Sequence, residues 1–210
     1  MSTSEKVLRA RAMFGLSPRA QGWHARRARR VGPAAAAIDR LLRAGETALI
    51  TGPSGSGKST LGRALALRCG TDVISSTDRA EPRPGLRVLD LFECDLEQAM
   101  SFLARAGLAE ASVMVARERD LSEGQGARLA ISLAMEKAGH TLILDEFGST
   151  LDRPTAAGLC RTVSRWARDS GVRVVCITAH DDVLGWLEPA VLAVVGEGTV
   201  VRRRGASGER

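Results

Sequence analysis

The sequence predicts an α/β fold, a three-layer sandwich in which helices cover both faces of a mostly parallel sheet. Short apolar runs alternate with longer helical patterns along the chain, the order that parallel strands joined by helices produce. A length of 210 residues suits one domain with an appendage, and 44% hydrophobic residues suffice for a core. No apolar run reaches the roughly 18 residues of a membrane span, and the N-terminus lacks the apolar segment of a signal peptide. We therefore expect a soluble cytoplasmic protein.

The individual elements follow from local patterns. A helical pattern over 34–43 ends near Gly45, and the apolar run 47–51 predicts a buried strand. A glycine-rich turn and a helix over 59–68 come next, whereas prolines and glycine predict an irregular loop over 70–86. The remaining patterns predict strands at 87–90, 141–144, 172–178 and 191–195 and helices at 96–106, 124–138 and 155–170.

Positive charge is concentrated at the N-terminus. Residues 1–40 contain nine lysine or arginine residues and two acidic residues, a net +7 in a chain whose formal charge is +6. We therefore predict a basic arm over 1–33 with a short helix near 4–14, an α/β domain over 34–201 and a basic tail over 202–210. A basic arm indicates a polyanionic partner such as nucleic acid, and a solvated or disordered arm would have the same composition.

A phosphate-binding loop follows the first predicted strand. Residues 52–59 match GxxxxGK[ST] between a strand and a helix. Such a loop directs backbone N–H groups and a helix N-terminus at phosphate, while its lysine reaches the β- and γ-phosphates and its serine ligates Mg²⁺. The motif predicts a P-loop NTPase with ATP and Mg²⁺ as ligands. The residues assigned to nucleotide binding are Gly52, Pro53, Ser54, Gly55, Ser56, Gly57, Lys58, Ser59 and Thr60, with Ser59 also a metal ligand.

Two carboxylates end the predicted strand 141–144. Asp145 and Glu146 lie at the edge where the carboxyl ends of parallel strands collect ligands. Asp145 is a candidate Mg²⁺ ligand, and Glu146 is a candidate general base for an attacking water. Because side chains alternate along a strand, Glu146 is expected to point the other way from Asp145. A base beside the γ-phosphate favours hydrolysis over the kinase chemistry that the phosphate loop alone also allows.

A third motif, Leu121-Ser-Glu-Gly-Gln125, precedes the predicted helix 124–138. By itself it predicts only a capped helix, because serine is a good N-cap. Further along the chain follow the acidic strand end, Ser149-Thr-Leu-Asp152 and a strand-end histidine, His180. In this order, after the phosphate loop, the motifs resemble the ATP-binding-cassette (ABC) ATPase family over about residues 38–200.

The resemblance implies an ATP-dependent homodimer arranged head to tail. In that family the signature serine and glycine contact the γ-phosphate held by the opposite subunit, which assigns Ser122, Gly124 and Gln125 to nucleotide binding. Asp152 would belong to the segment that crosses the dimer interface. His180 would sense the γ-phosphate, and with Glu146 and Lys58 it completes the expected catalytic residues.

The sequence departs from the family pattern in three ways. Glu123 replaces the first glycine of LSGGQ, the usual signature of the family. In the segment after Lys58, no clear glutamine stands where the family has its Q-loop glutamine. We assign that role, as a metal ligand, to Asp90, with Gln98 as the alternative. Only 60 residues separate Thr60 from Leu121, so we expect an abbreviated helical subdomain. The antiparallel β-subdomain before the phosphate loop also has little room, and Trp23, His24, Arg29 and Arg30 are the candidates for stacking on adenine.

These departures indicate a subset of the family. Met13-Phe-Gly-Leu16, Asp145-Glu-Phe147, Leu151-Asp-Arg153 and Ala179-His-Asp-Asp182 resemble soluble ABC-type ATPases often fused to a predicted acetyltransferase. We expect the ATPase module alone, hydrolysing Mg-ATP to drive a conformational change on nucleic acid or a partner protein. The alternative is the nucleotide-binding subunit of an ABC membrane transporter. A small-molecule kinase leaves the later motifs without roles, and a nucleotide-gated module that barely hydrolyses ATP remains a further hypothesis.

Overall fold

Strands and helices alternate in the computed structural model, which describes residues 21–75, 85–196 and 198–204. Two short 3₁₀ turns, at Leu89–Leu91 and Glu118–Asp120, interrupt the central part of the chain. In chain order the elements are α1 (Gln21–Leu41), β1 (Thr47–Thr51), α2 (Lys58–Cys69), β2 (Val73–Ser75), α3 (Leu96–Arg105), α4 (Ala111–Met114), α5 (Glu123–Glu136), β3 (Thr141–Asp145), α6 (Arg153–Ser170), β4 (Arg173–Ile177), α7 (Val183–Leu187), β5 (Val191–Val195) and β6 (Thr199–Arg203).

The described strands form one sheet in the order β2-β3-β4-β1-β5-β6. Every pairing is parallel except that of β5 with β6, which is antiparallel. The chain leaves β1 for the edge strand β2 and returns through β3 and β4, so that β3, β4 and β1 lie side by side. Their carboxyl ends therefore meet in the middle of one edge, where open α/β sheets bind ligands. The predicted fold class is confirmed: a P-loop NTPase-like α/β fold with a mostly parallel sheet.

Helices cover both faces of this sheet because the strand side chains alternate between two apolar clusters. Leu49 of β1 packs in one cluster with the buried side of α6. Ala48 and Ile50, its neighbours in β1, pack in the other cluster with α1 and α2. The predicted three layers follow from this alternation.

A third apolar cluster lies in the segment expected to be an abbreviated helical subdomain. It joins buried residues of the first 3₁₀ turn, α3 and α4 to Leu121 and to Leu129 of α5. This small helical unit is therefore anchored to the sheet domain through α5, whose first turn contains the last three residues of Leu121-Ser-Glu-Gly-Gln125. Among the residues described, no helix combines the length and the apolar composition needed to cross a bilayer.

The strand predicted over 87–90 is wrong. The chain there makes an isolated bridge between Arg87 and Arg117 and then the 3₁₀ turn Leu89–Leu91. The Asp90 carboxylate accepts the N–H of Arg87 at 3.2 Å, which closes the turn. Val88 is fully buried in the helical cluster, so its apolar side chain signals a core position rather than a strand.

Other boundaries also differ from the sequence prediction. The loop expected over 70–86 contains the short edge strand β2, and residues 76–84 lie outside the described part. The described part of helix α1, Gln21–Leu41, runs through Pro33 and so crosses the boundary expected between arm and domain. The helix predicted near 4–14 lies outside the described residues. Strand β6 includes Arg202 and Arg203, the first two residues of the predicted tail, and Arg203 forms an ion pair with Glu46.

Candidate active site

The phosphate loop occupies the turn from β1 to α2, as its motif predicts. Its backbone is shaped by three glycines with positive φ: Gly52 at 140°, Gly55 at 72° and Gly57 at 110°. A Cβ at Gly52 would lie 2.1 Å from the carbonyl oxygen of Val195 in β5, so only glycine fits between loop and sheet. Gly57 precedes the first turn of α2 without a side-chain cap, which leaves the N-terminal N–H groups of that helix directed at the loop.

The polar groups of the loop are arranged for an anion. The Lys58 ammonium donates to the carbonyl oxygens of Gly52 at 2.8 Å and Pro53 at 3.0 Å, which holds its charge at the mouth of the loop. The Ser56 hydroxyl oxygen is buried and has no hydrogen-bond partner among the described residues. A buried polar atom of this kind costs free energy unless a ligand or water satisfies it. A lysine beside an unsatisfied hydroxyl at a helix N-terminus fits a phosphate group.

The two carboxylates after β3 occupy an unusual backbone geometry. Asp145 is the last residue of the strand, and its Oδ1 accepts the N–H of Glu146 at 2.9 Å. Glu146 has φ 55°, a left-handed conformation that non-glycine residues seldom adopt. The next residue, Phe147, is fully buried, and its N–H donates to the carbonyl oxygen of Ile177 at 2.9 Å. This anchored phenylalanine holds Glu146 in the strained turn, and such strain is typical of functional sites.

Strand alternation, from which Glu146 was expected to point away from Asp145, does not continue past the end of β3. The strand ends at Asp145, Glu146 has a left-handed backbone, and both residues line the same cavity.

The segment after β4 adds a polar wall to the site. Thr178 is buried, and its N–H donates to the carbonyl oxygen of Ile50 at 3.1 Å. The Thr178 hydroxyl accepts the N–H of His180 at 3.2 Å, which fixes the start of the histidine loop. From β1, the Thr51 hydroxyl donates to Oδ1 of Asp181 at 3.2 Å. These hydrogen bonds place the exposed His180 beside the phosphate loop.

A cavity of about 420 Å³ joins these three strand ends. It brings together much of the phosphate loop, both strand-end carboxylates and His180. Ser149, the first residue of the predicted Ser149–Asp152 segment, also lines it. Thr178 was not predicted, although a hydroxyl residue directly after a parallel strand was a usable signal. Its lining residues are Ser54, Gly55, Gly57, Lys58, Ser59, Thr60, Asp145, Glu146, Ser149, Ile177, Thr178, Ala179 and His180.

The signature residues lie outside this cavity. Ser122 caps α5: its hydroxyl accepts the N–H of Gln125 at 3.2 Å, and the Gln125 side chain accepts the N–H of Ser122 at 2.9 Å. Gly124 lies close to the Ser149–Asp152 segment: a Cβ added at Gly124 would be 3.2 Å from the Leu151 side chain. The start of α5 and the Ser149–Asp152 segment therefore form one continuous surface of the protein.

Asp152 and Asp90 serve local structure in the described chain. Asp152 caps α6, and the backbone N–H and hydroxyl of Thr155, both donating to its carboxylate, lower its pKa. Asp90 lies in the helical unit, where it accepts from Arg87, and it is not among the residues that line the cavity. The structure therefore does not bring the predicted metal ligand Asp90 to the other metal-ligand candidates, Ser59 and Asp145. The arm candidates for adenine stacking have no described side chains.

Fold and site together define a P-loop NTPase. Comparison with protein-family models finds no match. Among curated proteins, the chain is 30% identical over 168 residues to the zinc import ATP-binding protein ZnuC of Paracoccus denitrificans, covering 71% of this chain and 64% of that protein. It is 25% identical over 184 residues to the probable iron export ATP-binding protein FetA of Escherichia coli, covering 73% of this chain and 81% of that protein.

A shikimate kinase from Thermobifida fusca also matches, with 36% identity over 96 residues that cover 46% of this chain and 55% of the kinase. The chain spans less than two thirds of the length of the first curated relatives that it matches. Among solved structures, the dimeric ABC transporter cassette MJ0796 superimposes with a TM-score of 0.63 at 21% identity, covering 78% of this chain and 88% of that one. The chain is thus similar in sequence to ATP-binding proteins of metal import and export and in fold to an ABC transporter cassette.

Proposed function

We propose that this protein binds Mg-ATP and hydrolyses it at the cavity between β1, β3 and β4. The observation that carries the proposal is the position of Glu146. Glu146, whose backbone is left-handed, lines the same cavity as Lys58, Asp145 and His180. A carboxylate held opposite a phosphate-binding loop is suited to accept a proton from an attacking water.

Each residue has a role that follows from its chemistry. Lys58 and the N-terminus of α2 hold the β- and γ-phosphates. Ser59 and Asp145 supply the oxygen ligands that Mg²⁺ prefers. The metal shields the phosphate charges when bound. Glu146 orients the water and takes its proton, and His180 contacts the γ-phosphate from the wall formed after β4.

We further propose that two copies assemble head to tail and complete each other's sites. The signature residues Ser122 and Gly124 lie on a surface next to the Ser149–Asp152 segment and outside the cavity of their own chain. In the proposed pair, the signature residues of each copy face the phosphate loop of the other. The arrangement then closes with two-fold symmetry. Two structural neighbours are titled as dimeric, which supports the assembly of two copies.

Two other functions have specific support. ZnuC and FetA are named as ATP-binding proteins of metal import and export, which favours a role as the nucleotide-binding subunit of an ABC transporter. The shikimate kinase match favours transfer of phosphate to a small molecule. That match covers less than half of the chain, and kinase chemistry gives no role to the signature surface. Action on nucleic acid through the basic arm remains a proposal, which rests on the net charge of +7 over residues 1–40.

Phosphate release from ATP, measured without any acceptor, tests the proposal. We expect steady turnover by the wild type, loss of at least 100-fold in Glu146→Gln with ATP binding retained, and loss of ATP binding in Lys58→Ala. Glu97→Gln, an exposed carboxylate on α3, is the matched control and should behave as the wild type. Turnover that requires an added small-molecule acceptor, or that survives in Glu146→Gln, would contradict hydrolysis at this site.

The arm proposal needs a truncation chosen from the structure. Val31 and Ala35 are buried in the core cluster with α2, so removal of residues 1–33 would damage the domain. Removal of residues 1–20 keeps the described helix Gln21–Leu41 and takes away a net charge of +3 out of the +7. If the arm recruits nucleic acid, single- or double-stranded DNA should stimulate turnover at low salt only, and the truncation should weaken that stimulation. Turnover that is indifferent to DNA in both proteins would reject the arm proposal and favour the transporter alternative.

A further inference from the structure

The side chain of Arg153 connects two segments that border the nucleotide cavity. One guanidinium nitrogen donates to both carboxylate oxygens of Asp182, at 3.0 and 2.9 Å. The other terminal nitrogen, Nη2, donates to the carbonyl oxygens of Gly148 at 3.1 Å and Leu151 at 3.3 Å. The guanidinium also lies 5.8 Å from the ring centroid of Trp186 in α7. One side chain therefore joins the loop after β3 to the loop after β4.

Local structure alone does not account for an arginine at this position. Arg153 is the first residue of α6, where a positive charge is unfavourable to the helix dipole. The Arg153 and Asp182 side chains are each 38% exposed, and an isolated ion pair at such exposure contributes little to stability. Four donated hydrogen bonds and a ring contact on one guanidinium, however, fix a geometry that a single exposed pair would not.

The two joined segments carry the groups that the proposed reaction needs. Gly148 and Leu151 belong to the turn that starts at Glu146 and ends at Asp152. Asp182 lies two residues after His180 and immediately before α7. Leu151 in turn packs against the position of Gly124 at the start of α5. The contacts form a continuous path from His180 through Arg153 to the surface that faces the second copy.

We propose that Arg153 is a positioning residue that holds the Ser149–Asp152 segment and the His180 loop as one unit. When His180 contacts the γ-phosphate, the displacement of its loop is transmitted through Asp182 and Arg153 to the dimer-facing surface. This proposal rests on the proposed function, since it gives a route by which ATP in one copy favours docking of the other. Arg153 itself touches no nucleotide in this scheme.

Paired variants on both sides of the contact test the proposal. Arg153→Gln, Asp182→Asn and the double variant are compared in the wild-type background for turnover and in the Glu146→Gln background for Mg-ATP-driven dimerisation. Arg161→Gln is the matched control, an exposed arginine two turns further along α6 with no ion pair among the described residues. We expect kcat and the dimer association constant to fall about tenfold in each single variant, with KM for ATP within about twofold and melting temperature nearly unchanged.

The double variant separates positioning from general damage. If the two side chains act through one contact, removing both should cost no more than removing either, whereas independent effects would multiply. Unchanged dimerisation in Arg153→Gln and Asp182→Asn, multiplying effects, or an equal loss in Arg161→Gln would each overturn the proposal. A Glu146→Gln parent that stays monomeric with Mg-ATP would overturn the proposed dimer and this inference with it. A parent that dimerises equally well with and without Arg153 would overturn the inference alone.

Discussion

The tightest steric requirement in the site is at Gly52, and its replacement by alanine gives a quantitative prediction. The new Cβ would lie 2.1 Å from the carbonyl oxygen and 3.1 Å from the carbonyl carbon of Val195, both backbone atoms of β5. Relieving this contact requires loop and strand to separate by about 1 Å, and such overpacking costs roughly 1–3 kcal/mol. The φ of 140° adds strain of about 1–3 kcal/mol for a residue with a Cβ.

Together these costs predict that Gly52→Ala lowers the free energy of unfolding by about 2–6 kcal/mol. Gly55→Ala is the matched control in the same loop, because its φ is also positive, at 72°, but an added Cβ there meets nothing within 4 Å. The control should cost only the left-handed strain, about 1–2 kcal/mol. At a typical urea dependence of about 2 kcal/mol/M, the midpoint should fall by about 1–3 M in Gly52→Ala and by at most about 1 M in the control.

Equilibrium urea unfolding, followed by circular dichroism at constant m-value, distinguishes the two costs. Equal midpoints for Gly52→Ala and Gly55→Ala would refute the reasoning, because they would mean that the contact with Val195 carries no cost. A midpoint equal to the wild type in both would also reject the left-handed backbone of the loop.

Two further predictions concern groups outside the nucleotide cavity. The hydrogen bond and ion pair with Arg203 lower the pKa of Glu46. Ionised Glu46 therefore stabilises the fold above its ordinary pKa near 4.5, and this contribution is lost as the pH falls through the lower folded value. Glu46→Gln should lower stability by about 1–3 kcal/mol at pH 7 and by much less near pH 3; an equal loss at both would contradict the assignment. All four cysteines are free, and burial raises the pKa of Cys160 to about 12 and that of Cys176 well above its ordinary value. These two thiols should resist Ellman's reagent at pH 8 until urea unfolds the protein, and rapid labelling of more than two thiols in the native state would contradict their burial.

Most of the strands and the phosphate loop could be predicted from the sequence because each depends on local pattern, whereas the order of the strands in the sheet could not. The run 47–51 and the loop residues 52–59 are adjacent, and their geometry is largely determined by glycines and apolar residues within one short segment. The position of Asp145 at this edge followed from the strand-end rule, whereas that of His180 followed from the family resemblance.

The errors arose where tertiary contacts override local pattern. Val88 looks like a strand residue, yet it fills the helical cluster, and a strand needs a neighbour that the helical unit does not offer. Glu146 looks like the next alternating residue of β3, yet the burial of Phe147 forces the left-handed turn. Arg153 was seen only as part of a motif, because its partner Asp182 lies 29 residues away. Long-range pairing of this kind has no local signal.

Complementation between two inactive variants tests the composite site most directly. Lys58→Ala retains its signature, and Ser122→Ala retains its phosphate loop, so each is expected to lose hydrolysis when alone. In a head-to-tail dimer of one copy of each, one site combines both substitutions and the other combines neither. An equimolar mixture should therefore recover turnover that neither variant shows alone, since each mixed dimer has one intact site. Turnover no greater than the mean of the two separate variants, with both variants shown to be folded, would contradict the account.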